Sequence, residues 1–315
     1  MIYNLLGTTG LKVSKICFGS LTLGPLQKNV TPEEGGKIIA YAMEHGVNFI
    51  DTANLYHNYP HIKNAAKYCE RELIISTKSY DYNEIGAKMS LTKAQKELNR
   101  DVIDIFMLHE QESIHTIRGH WEAINFLIKE KKKGNIRALG ISTHRIEGVY
   151  GACEIDDLEV IHPIINYKGL GIEDGSLEDM EKAIACAKSK GKGIYGMKIF
   201  GGGNLINNVD ECFNYINNLN ILDSIAIGMQ TKSEVDYNIN KVLGRKIDVN
   251  LANEVKNKKR RLLIDSWCNG CGSCQIKCHQ NAIKLIDNKA IVEEEKCITC
   301  GYCGAYCPQF CIKVV

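Results

Sequence analysis

Two closely spaced runs of cysteine lie near the C-terminal end of the 315-residue sequence. Of the 14 cysteines, nine fall between Cys268 and Cys311. Each run has the spacing C-x2-C-x2-C-x3-C, over residues 268–278 and 297–307. This spacing places three thiolates on one tight loop and a fourth about one helical turn away, and four soft thiolate ligands are what an iron–sulfur cubane requires. Zinc, the alternative, would use two C-x2-C pairs and would leave the third cysteine of each run unexplained.

The two runs form an internal repeat. Residues 268–285 align with residues 297–314 at an offset of 29 positions, with all four cysteines in register. Residues 265–315 resemble bacterial ferredoxin domains that hold two [4Fe–4S] clusters, and the resemblance implies that the fourth cysteine of each run ligates the other cluster. One cluster would take Cys268, Cys271, Cys274 and Cys307, and the other would take Cys297, Cys300, Cys303 and Cys278. Cys311 falls on Ala282 in the repeat, so we expect it to be a small core side chain.

Four polar residues in the cysteine-poor part of the chain could form a second reactive centre. Asp51, Lys78 and His109 each stand at the end of an apolar run, and Tyr56 follows Asp51 by five residues. We expect the ammonium of Lys78 to lower the pKa of Tyr56, because a neighbouring positive charge favours the phenolate. Asp51 would orient Lys78, while His109 would hydrogen-bond a substrate oxygen as charge develops there. Each residue alone has an ordinary structural alternative, but together they suit protonation of a carbonyl that receives a hydride.

Short apolar, β-branched runs alternate with amphipathic stretches through this part of the chain, a pattern typical of βαβ units and a parallel sheet. The eight predicted strands are Lys15–Gly19, Val47–Asp51, Leu73–Thr77, Ile103–His109, Ile136–Ser142, Val160–Asn166, Gly193–Lys198 and Ser224–Gly228. Eight alternations in about 250 residues match a (β/α)8 barrel better than a doubly wound sheet. Reactive residues in such barrels stand at the C-terminal ends of the strands, where the four polar residues are found.

Recognisable helix starts separate the predicted strands. The segment Thr31-Pro32-Glu33-Glu34 combines an N-cap, a proline at the first helical position and a capping-box glutamate. Further helices are predicted to begin near Ser90, Thr116, His144, Ser176, Asp210 and Ser233.

Two segments lie outside the alternation: a hairpin-like start at Tyr3–Val13 and a basic stretch at Asn253–Arg261. We interpret the basic stretch as a solvated surface, with docking to an acidic partner as the alternative. The predicted fold class is α/β, with a (β/α)8 TIM barrel over residues 1–250, a basic linker or helix over 251–264 and a small α+β ferredoxin-like iron–sulfur domain over 265–315. Because the last unit is too small to rely on an apolar core, its clusters should be needed for folding.

Residues 1–250 resemble the aldo-keto reductase family. The similarity rests on the opening segment at 6–14, the Asp-Thr-Ala-x-x-Tyr motif at 51–56 and the Leu-Gly-Ile-Ser-Thr-His segment at 139–144. The resemblance implies a catalytic tetrad of Asp51, Tyr56, Lys78 and His109. It also implies that a small carbonyl compound is reduced by hydride transfer from NAD(P)H, with Tyr56 as the proton donor.

The resemblance further implies where the nucleotide binds. The residues expected to hold it are Ser142, Thr143, Asn166, Lys198, Gly201, Gly202, Lys232 and Ser233. Thr143 stands where the family has asparagine, and Met197 stands where it has a stacking aromatic ring. The glycines at 201–203 offer backbone donors to phosphate, with a simple tight turn as the alternative.

Three functions follow from joining these two halves. The favoured one is an NAD(P)H-linked carbonyl reductase whose ferredoxin domain passes electrons to or from a redox partner protein. In the second, electrons reach the substrate from the clusters, with Tyr56 still donating the proton. Hydride carries two electrons and a cluster carries one, so a flavin is a candidate relay and cofactor in that case. In the third, the barrel is a scaffold and the chain is an electron carrier.

The composition excludes several other function classes. The formal net charge of +2 gives no reason to expect a nucleic-acid partner. The apolar runs have the length of strands and fall far short of the roughly 18 residues of a membrane span, so we expect no membrane association. The first residues lack a basic segment followed by an apolar core, so the sequence favours a cytoplasmic protein.

Overall fold

The chain begins with a hairpin that closes one end of a barrel. In the computed structural model, which describes residues 1–315, strands β1 (Tyr3–Leu5) and β2 (Lys12–Ser14) pair antiparallel. Leu6 and Leu11 from the hairpin turn are buried in one apolar cluster with Phe49 from the barrel interior. The hairpin therefore covers the end of the barrel where the strands begin.

Eight parallel strands form the closed barrel. They are β3 (Ile16–Gly19), β4 (Phe49–Asp51), β5 (Ile74–Ser79), β6 (Ile103–Leu108), β7 (Ile136–Thr143), β8 (Val160–Pro163), β9 (Gly193–Gly196) and β10 (Ser224–Gly228). Each strand pairs with the next along the chain, and β10 returns to β3. The barrel predicted from the alternation is confirmed. Its strands are apolar and β-branched because both faces of a parallel sheet are covered.

Helices on the outside of the barrel connect the strands. They are α1 (Pro32–Glu44), α2 (Tyr59–Ala65), α3 (Glu84–Leu98), α4 (Ile114–Gly119), α5 (Trp121–Lys132), α6 (Ile146–Cys153), α7 (Leu177–Ser189), α8 (Val209–Asn218) and α9 (Lys232–Val242). Short 3-10 turns lie at residues 20–23, 54–56, 201–203 and 206–208. No helix has both the length and the apolar character that crossing a bilayer demands.

The helix starts show which cap signals were decisive. The capping box at Thr31 is present, with the Thr31 hydroxyl and the Glu34 carboxylate each accepting a backbone N–H of the other. The predicted start at Ser90 is wrong, because the Asn83 side chain caps the helix earlier by accepting the N–H of Gly86. Ser90 lies inside that helix and accepts a hydrogen bond from the Asn54 amide.

The C-terminal residues form a second, smaller unit. It follows helix α10 (Val249–Lys256) and contains β11 (Leu262–Ile264), α11 (Ser273–Ile276), β12 (Ile283–Ile286), β13 (Lys289–Val292), α12 (Tyr302–Ala305) and β14 (Ile312–Val314). Strand β11 pairs antiparallel with β14, and β12 with β13. The two short helices each follow a glycine in the left-handed region, Gly272 and Gly301. The sequence repeat is thus a structural repeat.

The small unit packs directly on the loop that follows β9. The Asn204 amide donates to the carbonyl oxygens of Gly201, at 2.8 Å, and Ile312, at 2.9 Å. A side chain at Gly203 would clash with the Val314 carbonyl oxygen. Phe310 is 5% exposed and belongs to the main apolar core of the barrel. Burial of such a ring contributes about 1.5–3 kcal/mol, so the two units are held in one arrangement.

We predict that Gly203→Ala weakens this packing. The residue has φ of +87° and lies against Val314, so an added methyl group meets both backbone strain and a clash; overpacking of this kind costs about 1–3 kcal/mol. Gly244→Ala is the matched control, because its φ is +63° but no atom lies within 4 Å of the added carbon. Limited proteolysis of the chain near residue 257 measures the effect. Equal cleavage rates for the two variants would contradict the close approach.

Candidate functional site

A buried ion pair lies at the C-terminal mouth of the barrel. Asp51 ends β4, and Lys78 lies in the neighbouring strand β5, where closure of the barrel places them side by side. The Lys78 ammonium donates to both carboxylate oxygens of Asp51, at 2.6 and 2.7 Å, and to the carbonyl oxygen of Thr52, at 2.8 Å. Lys78 is only 1% exposed, so all its hydrogen-bonding capacity is used inside the barrel.

Tyr56 and His109 complete the group predicted from the sequence. The Lys78 nitrogen lies 5.2 Å from the centroid of the Tyr56 ring, and the Tyr56 and His109 rings meet edge to face at 5.8 Å. Tyr80 stacks on His109 at 4.4 Å and donates to Glu110 at 2.6 Å. The structure therefore brings the four residues together and adds an aromatic wall from the loop after β5.

The electrostatics of Tyr56 differ from the prediction. Burial, followed by the negative charges of Asp51 and Glu110, raises the pKa of Tyr56 well above its ordinary value. The expected lowering by Lys78 is not found, because Asp51 and a backbone carbonyl surround that ammonium. Burial and the charges of Lys78 and Lys198 lower the pKa of His109 well below its ordinary value. Both groups are therefore neutral near pH 7: a phenol that carries its proton and an uncharged imidazole.

Two residues that sequence reasoning missed support the ion pair from inside the barrel. The Tyr195 hydroxyl donates to Asp51 Oδ1 at 2.8 Å and hydrogen-bonds with Ser76 at 2.9 Å. His162 stacks on Tyr195 with ring centroids 3.8 Å apart, and its Nε2 lies 3.7 Å from Asp51. Burial lowers the pKa of His162 to about 4, so the ring is uncharged. The only sequence signal for Tyr195 and His162 was that each lies on a predicted strand at a position that faces the barrel interior.

A cleft extends from this group across the mouth of the barrel, with an empty volume of about 1070 Å³ that includes open solvent. Asp51, Tyr56 and His162 line it together with Lys258 and Arg260. Glycines 19, 202 and 228 also line it, so backbone forms part of the wall. The cleft thus joins the buried polar group of the barrel to cationic side chains near the small unit.

The predicted nucleotide residues divide into two groups. Lys198 and Gly202 line the cleft, whereas Gly201 lies against Leu170 and Leu205. The side chains of the other five contact different parts of the protein. Ser142 accepts the N–H of Glu110 at 2.9 Å, Thr143 accepts the N–H of Arg145 at 2.9 Å, and Asn166 bonds the Leu170 backbone at 2.9 Å. Lys232 lies over the Tyr41 ring, and Ser233 donates to Glu254. These five side chains hold loops and helix ends together.

Two residues of the basic stretch, Lys258 and Arg260, line the cleft, whereas Lys256, Lys259 and Arg261 are exposed. The Lys258 ammonium donates to Gln230 at 2.7 Å and to Glu234 at 2.6 Å, and its side chain is 19% exposed. The interpretation of the whole stretch as a solvated surface is therefore wrong at Lys258. The reason is tertiary: the connection to the small unit turns back over the start of α9.

Two cavities in the small unit gather the eight cysteines of the sequence repeat. One is lined by Cys278, Cys297, Cys300 and Cys303, and the other by Cys268, Cys271, Cys274 and Cys307. Each cavity thus takes three cysteines from one run and the fourth from the other, the exchange that the ferredoxin resemblance implies. Four convergent thiols around an apolar space fit a cubane cluster.

Cys311 lies against the second cavity. It is 1% exposed, as expected for a core residue, and its sulfur lies 3.4 Å from the sulfur of Cys307. It also lines the cavity with the four cysteines of that group. A thiol in this position is a neighbour of the proposed cluster, which the repeat alignment did not indicate because Ala282 occupies the equivalent place.

Residues 15–242 match the aldo/keto reductase family, and residues 261–308 match a 4Fe-4S dicluster domain. The first match covers more than half of the chain. The chain belongs to the aldo/keto reductase family. Among solved structures, this family member resembles a putative aldo-keto reductase from Pseudomonas aeruginosa, with a TM-score of 0.67 and 21% identity over 77% of this chain and 94% of that one. At such identity the likeness concerns the fold.

Curated relatives show the two halves separately. The barrel of this aldo/keto reductase is 26% identical to L-galactose dehydrogenase of Arabidopsis thaliana over 60% of this chain, and 24% identical to methylglyoxal reductase DkgA of Escherichia coli over 53%. The chain spans 62% and 63% of the length of those relatives. A further 69-residue match, 33% identical, is to one component of an ion-translocating oxidoreductase complex of Methanosarcina acetivorans, covering 22% of this chain and 26% of that protein.

We predict that Lys78→Met destabilises the protein by about 3–5 kcal/mol, because it leaves the Asp51 carboxylate buried without its counter-charge. Lys37→Met is the control, since Lys37 pairs with Glu33 on the surface of α1 and its side chain is 51% exposed. Urea denaturation followed by far-ultraviolet circular dichroism gives the free energy of unfolding. A loss no larger than that of the control would show that the ion pair is not needed for folding.

Proposed function

We propose that the chain reduces a small carbonyl compound with hydride from NAD(P)H, and that its iron–sulfur domain exchanges electrons with a redox partner protein. The observation that supports the reductase activity is the placement of Tyr56 on the wall of a long cleft, beside the Asp51–Lys78 pair and against the His109 ring. When bound in this cleft, NAD(P)H supplies the hydride that adds to the carbonyl carbon.

The residues of the chain supply the proton and hold the substrate oxygen. The Nδ1 atom of His109 is buried and has no hydrogen-bond partner within the protein, so it is free to bind a substrate oxygen. Tyr56 donates its phenolic proton to that oxygen as negative charge develops. The Lys78 ammonium lies 5.2 Å from the centroid of the Tyr56 ring, and Asp51, which also accepts a hydrogen bond from Tyr195, holds Lys78 in place.

The high pKa of Tyr56 suits this role. A phenol whose pKa is raised keeps its proton throughout the neutral range, so the acid is present in every protein molecule. Transfer of this proton becomes favourable only when the substrate oxygen becomes strongly basic, which ties proton donation to hydride addition. The neutral His109 donates one hydrogen bond without competing for the proton.

We further propose that each group of four cysteines binds one [4Fe–4S] cluster. One group is Cys268, Cys271, Cys274 and Cys307, and the other is Cys278, Cys297, Cys300 and Cys303. Bound clusters supply one-electron transfer, and the protein determines their exposure. In the first group Cys271 is exposed while Cys268 and Cys274 are buried, and in the second group Cys303 is buried and the other three are half-buried.

A second candidate is a reductase that receives its electrons from the clusters. The observation that favours it is that Ser142, Thr143 and Asn166, the residues expected to hold nicotinamide, are each hydrogen-bonded within the protein. A two-electron relay such as a flavin would then be needed. Anaerobic absorbance spectra decide between the two: a flavin spectrum favours the second candidate, and tight NADPH binding with hydride transfer favours the first.

We predict that Tyr56→Phe lowers kcat for NADPH-dependent aldehyde reduction by about 10²–10⁴-fold, because the proton donor is lost while the ring remains. Affinity for NADPH, measured by the quenching of protein fluorescence, should stay the same. Tyr82→Phe is the control, because Tyr82 is 65% exposed on the loop after β5. Unchanged turnover in Tyr56→Phe would refute the assignment of the tetrad.

We predict that Cys271→Ala lowers the iron content of anaerobically purified protein by about half, because one of two clusters loses a ligand. Cys186→Ala is the control, since Cys186 is a free cysteine on α7 of the barrel. Iron is measured by colorimetric assay and the remaining cluster by electron paramagnetic resonance after reduction. Full iron content in Cys271→Ala would contradict the proposed ligand set.

A further inference from the structure

Two lysines from different units meet at the junction between the barrel and the small unit. Lys198 follows β9 and adopts a left-handed backbone, with φ of 59°. Lys313 lies in β14. Their ammonium groups lie 5.1 and 3.7 Å from the centroid of the same ring, that of Phe310. Both lysines line the cleft that Tyr56 also lines.

Neither lysine is neutralised by a carboxylate. No Asp or Glu oxygen lies within 4.0 Å of either ammonium. Lys198 instead donates to His144 Nε2 at 2.7 Å, and the other nitrogen of that ring lies 3.7 Å from Glu173. Lys313 donates to the carbonyl oxygen of Phe310. Each lysine is oriented by a neutral acceptor, so its positive charge remains available to a ligand.

Holding two like charges close together is unfavourable without an anion between or beside them. Burial, followed by the charge of Lys313, lowers the pKa of Lys198 to about 7. The charges of Glu110, Asp265 and Glu173 oppose this effect at Lys198, and the charge of Asp265 also opposes the lowering of the pKa of Lys313 by burial. An entering anion would remove the repulsion and keep both lysines charged.

We propose that Lys198 and Lys313 form an anion subsite, built jointly by the two units, that binds a carboxylate or phosphate group of the ligand in the cleft. The proposal rests on the proposed reductase function for the identity of that ligand. Because the lysines line the cleft with Tyr56, a substrate that places its carbonyl at Tyr56 could carry the anionic group a short distance away. Arg260, which has no carboxylate partner, also lines the cleft, whereas Lys258 is paired with Glu234.

The test compares two aldehydes that differ only in charge. Wild-type holoprotein, purified anaerobically, is assayed with NADPH and either 4-carboxybenzaldehyde or its methyl ester. Lys198→Met and Lys313→Met should each raise KM for the charged aldehyde about 10-fold or more, as expected for loss of a charged hydrogen bond, and should leave KM for the ester within about twofold. Lys198→Arg should restore the preference. Lys182→Met is the control, because Lys182 is exposed and pairs with Glu178 on α7.

The same variants identify the source of the anion. A loss confined to NADPH affinity, measured by fluorescence titration, supports the subsite and assigns the anion to the nucleotide phosphate. A loss confined to the charged aldehyde supports the subsite and assigns the anion to the substrate. Unchanged KM and NADPH affinity overturn the proposal. A shift of cluster midpoint potential alone also overturns it, because the lysines would then serve only to balance cluster charge.

Failure of the reductase function is distinguishable from failure of the subsite. If wild-type protein reduces neither aldehyde, the reductase proposal fails, and calorimetric binding of terephthalate then tests the subsite directly. Binding that is weakened at least 10-fold in Lys198→Met and kept in Lys182→Met supports the subsite, and equal or absent binding overturns it. Lys313 lies in the small unit and Lys198 in the barrel. Iron content therefore checks that the Lys313 variant is folded, and circular dichroism checks the Lys198 variant.

Discussion

The carboxylate of Asp51 is surrounded by three groups that come from three different strands of the barrel. Lys78 of β5 and Tyr195 of β9 hydrogen-bond to it, and His162 of β8 stacks on Tyr195 beside it. A charge at this depth is tolerated only when its hydrogen bonds are complete. The surroundings of Asp51 therefore depend on closure of the barrel, because closure brings β4 and β5 to the same mouth as β8 and β9, which are distant in sequence.

The small unit adds a second constraint at the same face. Its last strand, β14, lies on the loop after β9, and this approach is close enough that Gly203 has no room for a side chain. Asn204 then joins the two units through a single amide that bonds both backbones. The loop after β9 therefore serves both the cleft and the neighbouring unit: Lys198, Gly202 and Gly203 line the cleft, and the two glycines also lie against Lys313 and Val314 of the small unit.

Much of the fold and part of the site could be predicted from the sequence, because local patterns carry them. Alternation of apolar runs indicated all eight barrel strands, and the repeat of cysteine spacing indicated the two groups of four. Properties that depend on distant contacts could not be predicted in this way. Burial, followed by the charge of Asp51, raises the pKa of Tyr56, and Thr143 accepts the N–H of Arg145; neither effect has a signature in spacing. The position of Lys313 beside Lys198 also required the packing of the two units.

Phe310 belongs to the small unit, but its side chain packs in the core of the barrel. It lies three residues after Cys307, a proposed cluster ligand, yet its side chain fills a gap in the barrel core beside Gly171 and His144. Units of this size generally gain part of their folding free energy from bound metal. Oxidative destruction of a cluster would withdraw the ring and open the barrel mouth to water. Oxygen damage to a cluster in the small unit would thus also disorder the mouth of the barrel.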